Sequence, residues 1–346
     1  MAAWTNLALL AMCAVGACGC SNFLMENDYR ISCRTMDLGG GLEFGVRTIP
    51  AGAALASHGR VAAYGMVAFV PGDAGVYLPH FVTGGMNTAG LSCDQQVLQG
   101  TRYANPTNAS TDVGIDHFCE WALGSAATVR EAAAALRNGS VTAHGPSVAG
   151  GQHFVLRDAA GESLAVEWLD GTNPPSTVAL DLNDGGATGF GVFTNEPPFP
   201  WHVTNVRHAA WKMANARPAF TVPGTFYPDE RFLRLHLLKA AMPPPASYEE
   251  AMMQALHVLN SVTVPMGRQL GTDSSAGEGA GDHTMWASVM DHKTKTIYWR
   301  TQTNQNLQRL ALADARLEPG APEGAIHFGK NDLPWFHDAA SAVKRL

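Results

Sequence analysis

A cysteine directly after a small-residue cleavage signal is the residue in this sequence best suited to chemistry. Cys20 follows Ala17-Cys18-Gly19, and residues 1–15 ahead of them are uncharged and mostly apolar. An apolar stretch that ends in small residues is typical of a signal peptide, and cleavage after Gly19 would make Cys20 the N-terminal residue. Because an α-amino group has a pKa of about 8, it can accept the proton of the neighbouring thiol. The pattern therefore predicts a nucleophile and its base within one residue.

The leader allows two other outcomes. Val15-Gly16-Ala17-Cys18 also fits a lipobox, in which Cys18 is lipidated and Cys20 stays internal. The leader lacks Lys and Arg ahead of its apolar stretch, which is unusual for an export signal, so an uncleaved membrane anchor is the third outcome. We expect residues 1–19 to direct export to the periplasm or the medium, with membrane anchoring as the alternative.

The composition indicates a globular protein with a large core. Of 346 residues, 46% are hydrophobic and 15% are charged, and the formal net charge is -7. An acidic chain without a Lys/Arg cluster disfavours nucleic-acid binding and attachment to anionic membranes. We expect one catalytic domain over residues 20–346 that acts on a small molecule, either as a monomer or as a homo-oligomer.

Four cysteines follow the leader, namely Cys20, Cys33, Cys93 and Cys119. None has the CxxC or Cys/His spacing of a zinc site, so we expect neither a metal nor a cofactor. If Cys20 must stay free, the other three allow at most one disulfide in an oxidising compartment. The sequence leaves the pairing open.

Apolar periodicity predicts the elements that must position these side chains. Residues 29–36 and 42–49 are β-type runs on either side of three glycines, which predicts a hairpin, and residues 284–291 and 296–301 predict another. Further strands are predicted over 61–70, 76–83, 153–156, 163–168 and 190–194, with a tight turn over 84–90 and a Gly/Ser-rich loop over 271–281. Helices are predicted over 114–123, 128–136, 202–213, 229–242 and 247–259. Two face-to-face sheets with helices outside them would use all of these elements.

Five segments carry a family pattern in their order and spacing. They are Cys20-Ser21-Asn22-Phe23; Cys33-Arg34-Thr35-Met36-Asp37; Gly85-Met86-Asn87-Thr88-Ala89-Gly90-Leu91; Thr194-Asn195-Glu196-Pro197 with Trp201-His202 and Asn205; and Pro223-Gly224-Thr225-Phe226 with Arg231-Phe232. Together they resemble the choloylglycine hydrolase and penicillin V acylase family of N-terminal-nucleophile hydrolases. The resemblance implies an α+β fold, a four-layer αββα sandwich, and hydrolysis of linear C–N amides through an acyl-enzyme.

The resemblance also implies a role for each of five residues. Cys20 would be the nucleophile, with its α-amine moving the proton from the thiol to the leaving amine. Arg34 would favour the thiolate, and Asp37 would hold the amine by a charge-assisted hydrogen bond. Asn195 would donate its side-chain amide to the oxyanion, and Arg231 would be a second arginine near the nucleophile. Because Arg34 and Asp37 fall on opposite faces of a regular strand, we expect a bulge or the strand end between them.

The sequence departs from the family at two places and leaves the substrate open. Leu38 and three glycines stand where the family usually has an aromatic residue, and no Asn marks the second oxyanion donor within residues 92–97. Loops near residues 71–80 and 94–103 are expected to shape the acyl pocket, which could take penicillin V, an N-acyl homoserine lactone or a conjugated bile salt. The alternatives are an acyltransferase of the same nucleophile class and a non-catalytic lipid-anchored binding protein.

Overall fold

The computed structural model describes residues 19–25, 27–39, 43–56, 59–73, 76–77, 80–107, 110–147, 150–181, 191–215, 221–266, 283–329 and 333–335. Most of the expected leader, residues 1–18, lies outside the described residues. The predicted loop over 271–281 does as well.

Seventeen strands are present in the described part of the chain. They are β1 (Cys20–Leu24), β2 (Ile31–Leu38), β3 (Glu43–Ile49), β4 (Met66–Asp73), β5 (Val76–Tyr77), β6 (Gly84–Asn87), β7 (Ser92–Val97), β8 (Asp112–Gly114), β9 (Thr142–His144), β10 (Gln152–Arg157), β11 (Ser163–Glu167), β12 (Thr177–Asp181), β13 (Val192–Thr194), β14 (His283–Asp291), β15 (Thr296–Thr301), β16 (Asn304–Ala311) and β17 (Gly324–His327). The helices are α1 (Phe118–Ser125), α2 (Val129–Arg137), α3 (Phe199–Asn215), α4 (Pro228–Ala241) and α5 (Tyr248–Asn260). None of these helices is long and apolar enough to cross a membrane.

The strands form two large antiparallel sheets. The first has six strands in the order β13-β1-β2-β14-β15-β16. The second runs β12-β11-β10-β7-β6-β4-β3-β17, with β5 paired to β4. Strands β8 and β9 make a separate parallel pair. The nucleophile candidate therefore begins a strand inside the first sheet, with β13 on one side and β2 on the other.

Three apolar clusters define four layers. Phe118 and Leu136 of α1 and α2 pack with Phe154 on the outer face of the second sheet. Phe232 of α4, with residues of α5, packs with Phe23 on the outer face of the first sheet. A third cluster, which includes Phe69, Met86 and Trp286, fills the space between the sheets. The order helix, sheet, sheet, helix confirms the expected αββα sandwich.

The predicted hairpin of residues 29–36 with 42–49 is wrong. Both runs are strands, but β2 pairs with β1 and β14 in the first sheet, whereas β3 pairs with β4 and β17 in the second. The connection after Leu38 therefore crosses from one sheet to the other. A short glycine-rich link can connect two sheets as well as close a hairpin. Apolar periodicity indicates that a segment is a strand, but it does not show which strand pairs with it.

Other local predictions are confirmed with shifted bounds. Strands β14 and β15 form the predicted closing hairpin. Ser247 caps α5 by accepting a hydrogen bond from the Glu250 N–H. The segment 84–90, predicted as a turn, begins as strand β6, and the turn follows it at residues 88–90. Seven other strands of the described part were not predicted, namely β1, β7, β8, β9, β12, β16 and β17.

Among the described residues, one disulfide is present, between Cys93 of β7 and Cys119 of α1, with Cα atoms 5.4 Å apart. It ties α1 to the outer face of the second sheet. Cys20 and Cys33 are free and buried. This distribution keeps the nucleophile candidate as a thiol.

Candidate active site

Cys20 is the first residue of β1, and its side chain is only 3% exposed. Its backbone N–H donates to Asn195 Oδ1 at 2.6 Å, and its carbonyl oxygen accepts from Arg231 Nη1 at 2.5 Å. Its sulfur lies 3.8 Å from the sulfur of Met36. Three segments far apart in sequence therefore fix the backbone and the thiol of this residue.

Arg34 lies on the thiol side of the first sheet. In the β1–β2 pairing, Cys20 is opposite Met36, and Asn22 is opposite Arg34, so these side chains share one face. The guanidinium of Arg34 donates to the carbonyl oxygens of Thr83 and Gln95, to Asp94 Oδ1 at 3.0 Å, and lies 5.0 Å from the ring centroid of Trp286. The sequence-predicted cation therefore lies on the same face as the thiol and is bound to strand β7.

Asp37 lies on the opposite face of β2 from Arg34. Its carboxylate accepts from the hydroxyls of Thr35 at 3.0 Å and Thr284 at 2.5 Å. A Cβ placed on Gly19 would lie 3.5 Å from Asp37 Oδ2. The expected bulge or strand end between Arg34 and Asp37 is wrong, because β2 continues from Ile31 to Leu38 and the register shift lies in the neighbouring strand β14, between Thr284 and Trp286. Asp37 thus flanks the peptide before Cys20, on the backbone side of the site.

Arg231 joins helix α4 to the start of β1. It is 1% exposed and donates to Cys20 O, to Ser21 Oγ at 2.7 Å, to Asn195 Oδ1 at 3.0 Å and to Phe226 O at 2.8 Å. Burial lowers the pKa of this guanidinium, and the Asp37 carboxylate and the Cys20 thiol oppose that shift. The planar fork therefore bridges the backbone of Cys20 and the candidate oxyanion residue.

Asn195 follows β13 and is fully buried. Its Oδ1 accepts the bonds from Cys20 and Arg231, which fixes the orientation of the amide, and its Nδ2 donates to Val97 O at 2.8 Å. Because an amide nitrogen carries two donors, one N–H remains for a substrate oxygen. His202 lies behind this residue, with Nε2 3.1 Å from Asn195 O.

The electrostatic balance at Cys20 favours the neutral thiol in the chain that still carries Gly19. Burial raises the pKa of the Cys20 thiol. The Arg34 cation opposes that shift, the Asp37 carboxylate adds to it, and the Arg231 cation opposes it. A thiol in this position needs a nearby base before it can attack a carbonyl.

The structure brings the other four predicted site residues around Cys20 and adds one that was not predicted from the sequence. Asp94 is paired with Arg34 and is 1% exposed. One feature of the sequence could have indicated it, because Asp94 is the single acidic residue in the strand-like run Leu91-Ser92-Cys93-Asp94. The two expected pocket loops are wrong in part, because residues 94–97 belong to β7, residues 71–73 to β4 and residues 76–77 to β5.

Comparison with known proteins agrees with this geometry. The family model for linear amide C–N hydrolases, choloylglycine hydrolase family, matches residues 20–326. A bile salt hydrolase/transferase of Clostridium perfringens is 24% identical over 260 residues, covering 68% of this chain and 73% of that protein. A penicillin V acylase of Pectobacterium atrosepticum is 22% identical over 366 residues, covering 97% and 92%. An uncharacterised protein of Paramecium bursaria Chlorella virus 1 is 27% identical over 171 residues, and that match spans 46% of this chain and 57% of the viral protein.

Solved structures share the fold. A mutant of the conjugated bile acid hydrolase from Clostridium perfringens superposes with a TM-score of 0.71 at 20% identity, covering 90% of this chain and 97% of that one. The penicillin V acylase from Agrobacterium tumefaciens gives 0.69 at 22% identity, covering 88% and 89%. This chain belongs to the choloylglycine hydrolase family of linear amide C–N hydrolases and is an amidohydrolase.

Proposed function

We propose that this chain is an N-terminal-nucleophile acylase in which Cys20 becomes the first residue by cleavage after Gly19. The observation that carries the proposal is the convergence of Asn195 and Arg231 on the backbone of Cys20, at 2.6 and 2.5 Å. Cleavage would turn the Cys20 N–H into an amine beside the Asp37 carboxylate, which already lies against Gly19. Export of the leader is supported by the Cys93–Cys119 disulfide, a bond typical of oxidising compartments.

The reaction assigns one step to each group. The α-amine of Cys20 takes the thiol proton, and the thiolate attacks the amide carbonyl to give a tetrahedral oxyanion. The second N–H of Asn195 donates to that oxyanion. The C–N bond breaks, and the leaving amine takes the proton from the α-ammonium. Water then cleaves the thioester and releases the carboxylic acid.

The electrostatics support the need for the α-amine. Burial raises the pKa of the Cys20 thiol, so the resting nucleophile keeps its proton near neutral pH. An amine attached to the same residue can take that proton without any movement of the chain. Asp37 would hold the resulting ammonium as its counter-ion. The two arginines would then favour the thiolate.

The surroundings of the thiol favour an apolar acyl group. Cys20 packs in the cluster between the sheets with Met36, Leu38, Phe44 and Trp286. Burying an aromatic or alkyl acyl chain against such side chains contributes about 25 cal/mol per Å². We rank penicillin V and N-acyl homoserine lactones above conjugated bile salts because the leader indicates an exported enzyme.

An acyltransferase is the second candidate, because one relative carries the name bile salt hydrolase/transferase. The two activities share the acyl-enzyme and differ in whether water or an amine accepts the acyl group. A labelled amine added to the reaction separates them, since a transferase incorporates the label into a new amide.

The experiment is a turnover panel with a matched pair of cysteine variants. The substrates are penicillin V, an N-acyl homoserine lactone and a taurine-conjugated bile salt. We expect Cys20→Ala to abolish turnover while circular dichroism stays unchanged. Cys33→Ala removes the other buried free thiol, which faces α5 near Ala255 O, and it should remain active. A folded Cys20→Ala variant that still hydrolyses amides would refute the assignment.

A further inference from the structure

A buried ion pair connects the nucleophile's sheet to the opposite sheet. Arg34 Nη1 lies 3.0 Å from Asp94 Oδ1, and the two side chains are 1% and 2% exposed. Asp94 Oδ2 also accepts from Asn22 Nδ2 at 2.8 Å. A single carboxylate on β7 therefore binds side chains of both β1 and β2, within two residues of the nucleophile on β1.

The pair is part of a longer polar chain. Asn22 Oδ1 accepts from Arg157 Nε at 2.7 Å, and Arg157 is held in turn by Ser163 Oγ at 2.6 Å and Gly191 O at 3.1 Å. Both oxygens of Asp94 thus have a fixed partner. Such a connected network holds its members rigidly, whereas removal of one charge leaves the other buried without compensation.

The backbone leaves space for this pair at Gly84. A Cβ added to Gly84 would overlap both Arg34 Nη1 and Asp94 Oδ1. Gly84 lies opposite Asp94 in the β6–β7 pairing. Contact between the two charged groups therefore depends on a residue without a side chain at this position.

Arg34 cannot act on the thiol independently of its counter-ion. Arg34 and Cys20 share one face of the first sheet, and Asp94 contacts Arg34 from the other sheet. We propose that Asp94 is a positioning residue which holds Arg34 beside Cys20 and, by partly cancelling its charge, sets how strongly Arg34 favours the thiolate. The proposal rests on the proposed role of Cys20 as the nucleophile.

Charged groups on several elements surround the Cys20 thiol and the Arg34–Asp94 pair. Arg34 shares one face of the sheet with the Cys20 thiol, and Asp37 lies on the other face against Gly19. Arg231 contacts the Cys20 backbone from α4, and Arg157 of β10 approaches the Arg34–Asp94 pair through Asn22. Burial raises the pKa of the Asp94 carboxyl, and Arg34, Arg157 and the Asn22 amide oppose that shift. These groups reduce the rise without cancelling it, and wherever Asp94 is ionised its charge weakens the field of Arg34 at the thiol.

The test is the pH dependence of Cys20 alkylation in Asp94→Asn. Asparagine keeps an oxygen for Arg34 and removes the charge, while the carbonyls of Thr83 and Gln95 still hold the guanidinium. We expect the pKa of the Cys20 thiol to fall by about one unit. Below that pKa the thiolate fraction would then be about tenfold larger, so alkylation would be about tenfold faster. Peptide mass spectrometry after iodoacetamide treatment separates Cys20 from Cys33. An unchanged or raised pKa would overturn the proposal.

Two controls separate this role from a structural one. Asp158→Asn changes another buried aspartate, which accepts from backbone N–H groups including that of Val129, and it should lower stability without moving the thiol pKa. In an Arg34→Gln background, only Arg157 and Asn22 still oppose the effect of burial on the Asp94 carboxyl, so Asp94→Asn should shift the thiol pKa less than it does beside Arg34. An equal shift in both backgrounds would contradict action through Arg34.

Gly84→Ala tests the proposal if Asp94→Asn does not fold. The added methyl group keeps every charge and separates the pair, so the thiol pKa should move in this variant too. A folded Gly84→Ala protein with wild-type alkylation at every pH would overturn the proposal. Alkylation needs no substrate, so a protein without amide turnover would refute the proposed function while still testing Asp94.

Discussion

Arg231 is the residue that most directly joins the backbone of Cys20 to Asn195. Its guanidinium spans Cys20 O, Ser21 Oγ and Asn195 Oδ1. An ammonium group has the charge but not the planar fork, so it cannot reproduce these three bonds together. At the scale of single residues, the site therefore depends on geometry as much as on charge.

We predict that Arg231→Lys lowers kcat at least about 10²-fold, the loss typical of a misplaced oxyanion donor. Steady-state kinetics on the preferred amide measures this. Arg234→Lys is the matched control, because Arg234 is on the same helix and donates to Pro223 O and Ser261 O away from Cys20. It should lower stability and leave kcat within a few fold. Equal kcat values for wild type and Arg231→Lys would exclude the proposed role.

Residue patterns predicted which side chains come together at the candidate site, but they did not predict the groups that hold those side chains in place. Cys20, Arg34, Asp37, Asn195 and Arg231 were all identified through motif order. The partners that hold them were not, because a hydrogen bond between strands of different sheets leaves no local pattern. Asp94 is 60 positions from Arg34 in the chain, and only the facing of two sheets brings them together.

At the scale of elements, the turn after β6 is tied to helix α1 by Asn87. Its Nδ2 donates to Leu123 O at 2.8 Å and Ala126 O at 2.7 Å, and its Oδ1 accepts from the N–H groups of Ala89 and Leu91. The Gly85–Leu91 motif therefore has a structural use. It fixes the end of α1 against the strand that carries Gly84.

We predict that Asn87→Ala destabilises the protein by about 3 kcal/mol, because it leaves buried backbone groups without partners. Urea unfolding followed by circular dichroism measures the change in free energy. Asn215→Ala is the control, since Asn215 is exposed at the end of α3 and makes one bond to Trp211 O. It should change stability by less than about 0.5 kcal/mol. A similar loss of stability in both variants would show that the hydrogen bonds of Asn87 do not specifically hold the turn against α1.

The helices and most of the longer strands were predictable, but β1, β7 and several short strands were not, and the pairing was only partly predictable. Strands β14 and β15 are joined by a short polar turn, which limits them to a hairpin. Strands β2 and β3 have an equally short glycine-rich link, yet they belong to different sheets. Sequence periodicity reports which residues are apolar on one face. It does not report which neighbour supplies the hydrogen bonds.

At the scale of the whole molecule, two buried histidines connect folding to pH. Burial lowers the pKa of His202 and of His292 to about 4. In the unfolded chain both imidazoles would have a pKa of about 6.5. Between these values the unfolded state binds more protons than the folded state, so stability falls as the pH drops from about 6.5 toward about 4.

We predict that each of these histidines removes about 3 kcal/mol of stability between neutral pH and about pH 4. Thermal unfolding at closely spaced pH values measures the slope. His292→Gln should flatten it, because the ring bonded to Ser32 and Gly90 no longer titrates. His257→Gln changes an exposed histidine on α5 and should leave the slope unchanged. A wild-type slope in His292→Gln would contradict the assignment.

The central claim is that one residue supplies both the sulfur and the amine of the reaction. Mass spectrometry of the mature protein, quenched in acid during turnover of the preferred amide, tests it most directly. We expect an N-terminal peptide that begins at Cys20 and carries the acyl group as a thioester. Amide turnover by a chain that starts at any other residue, or an acyl group found on Cys33, would contradict it.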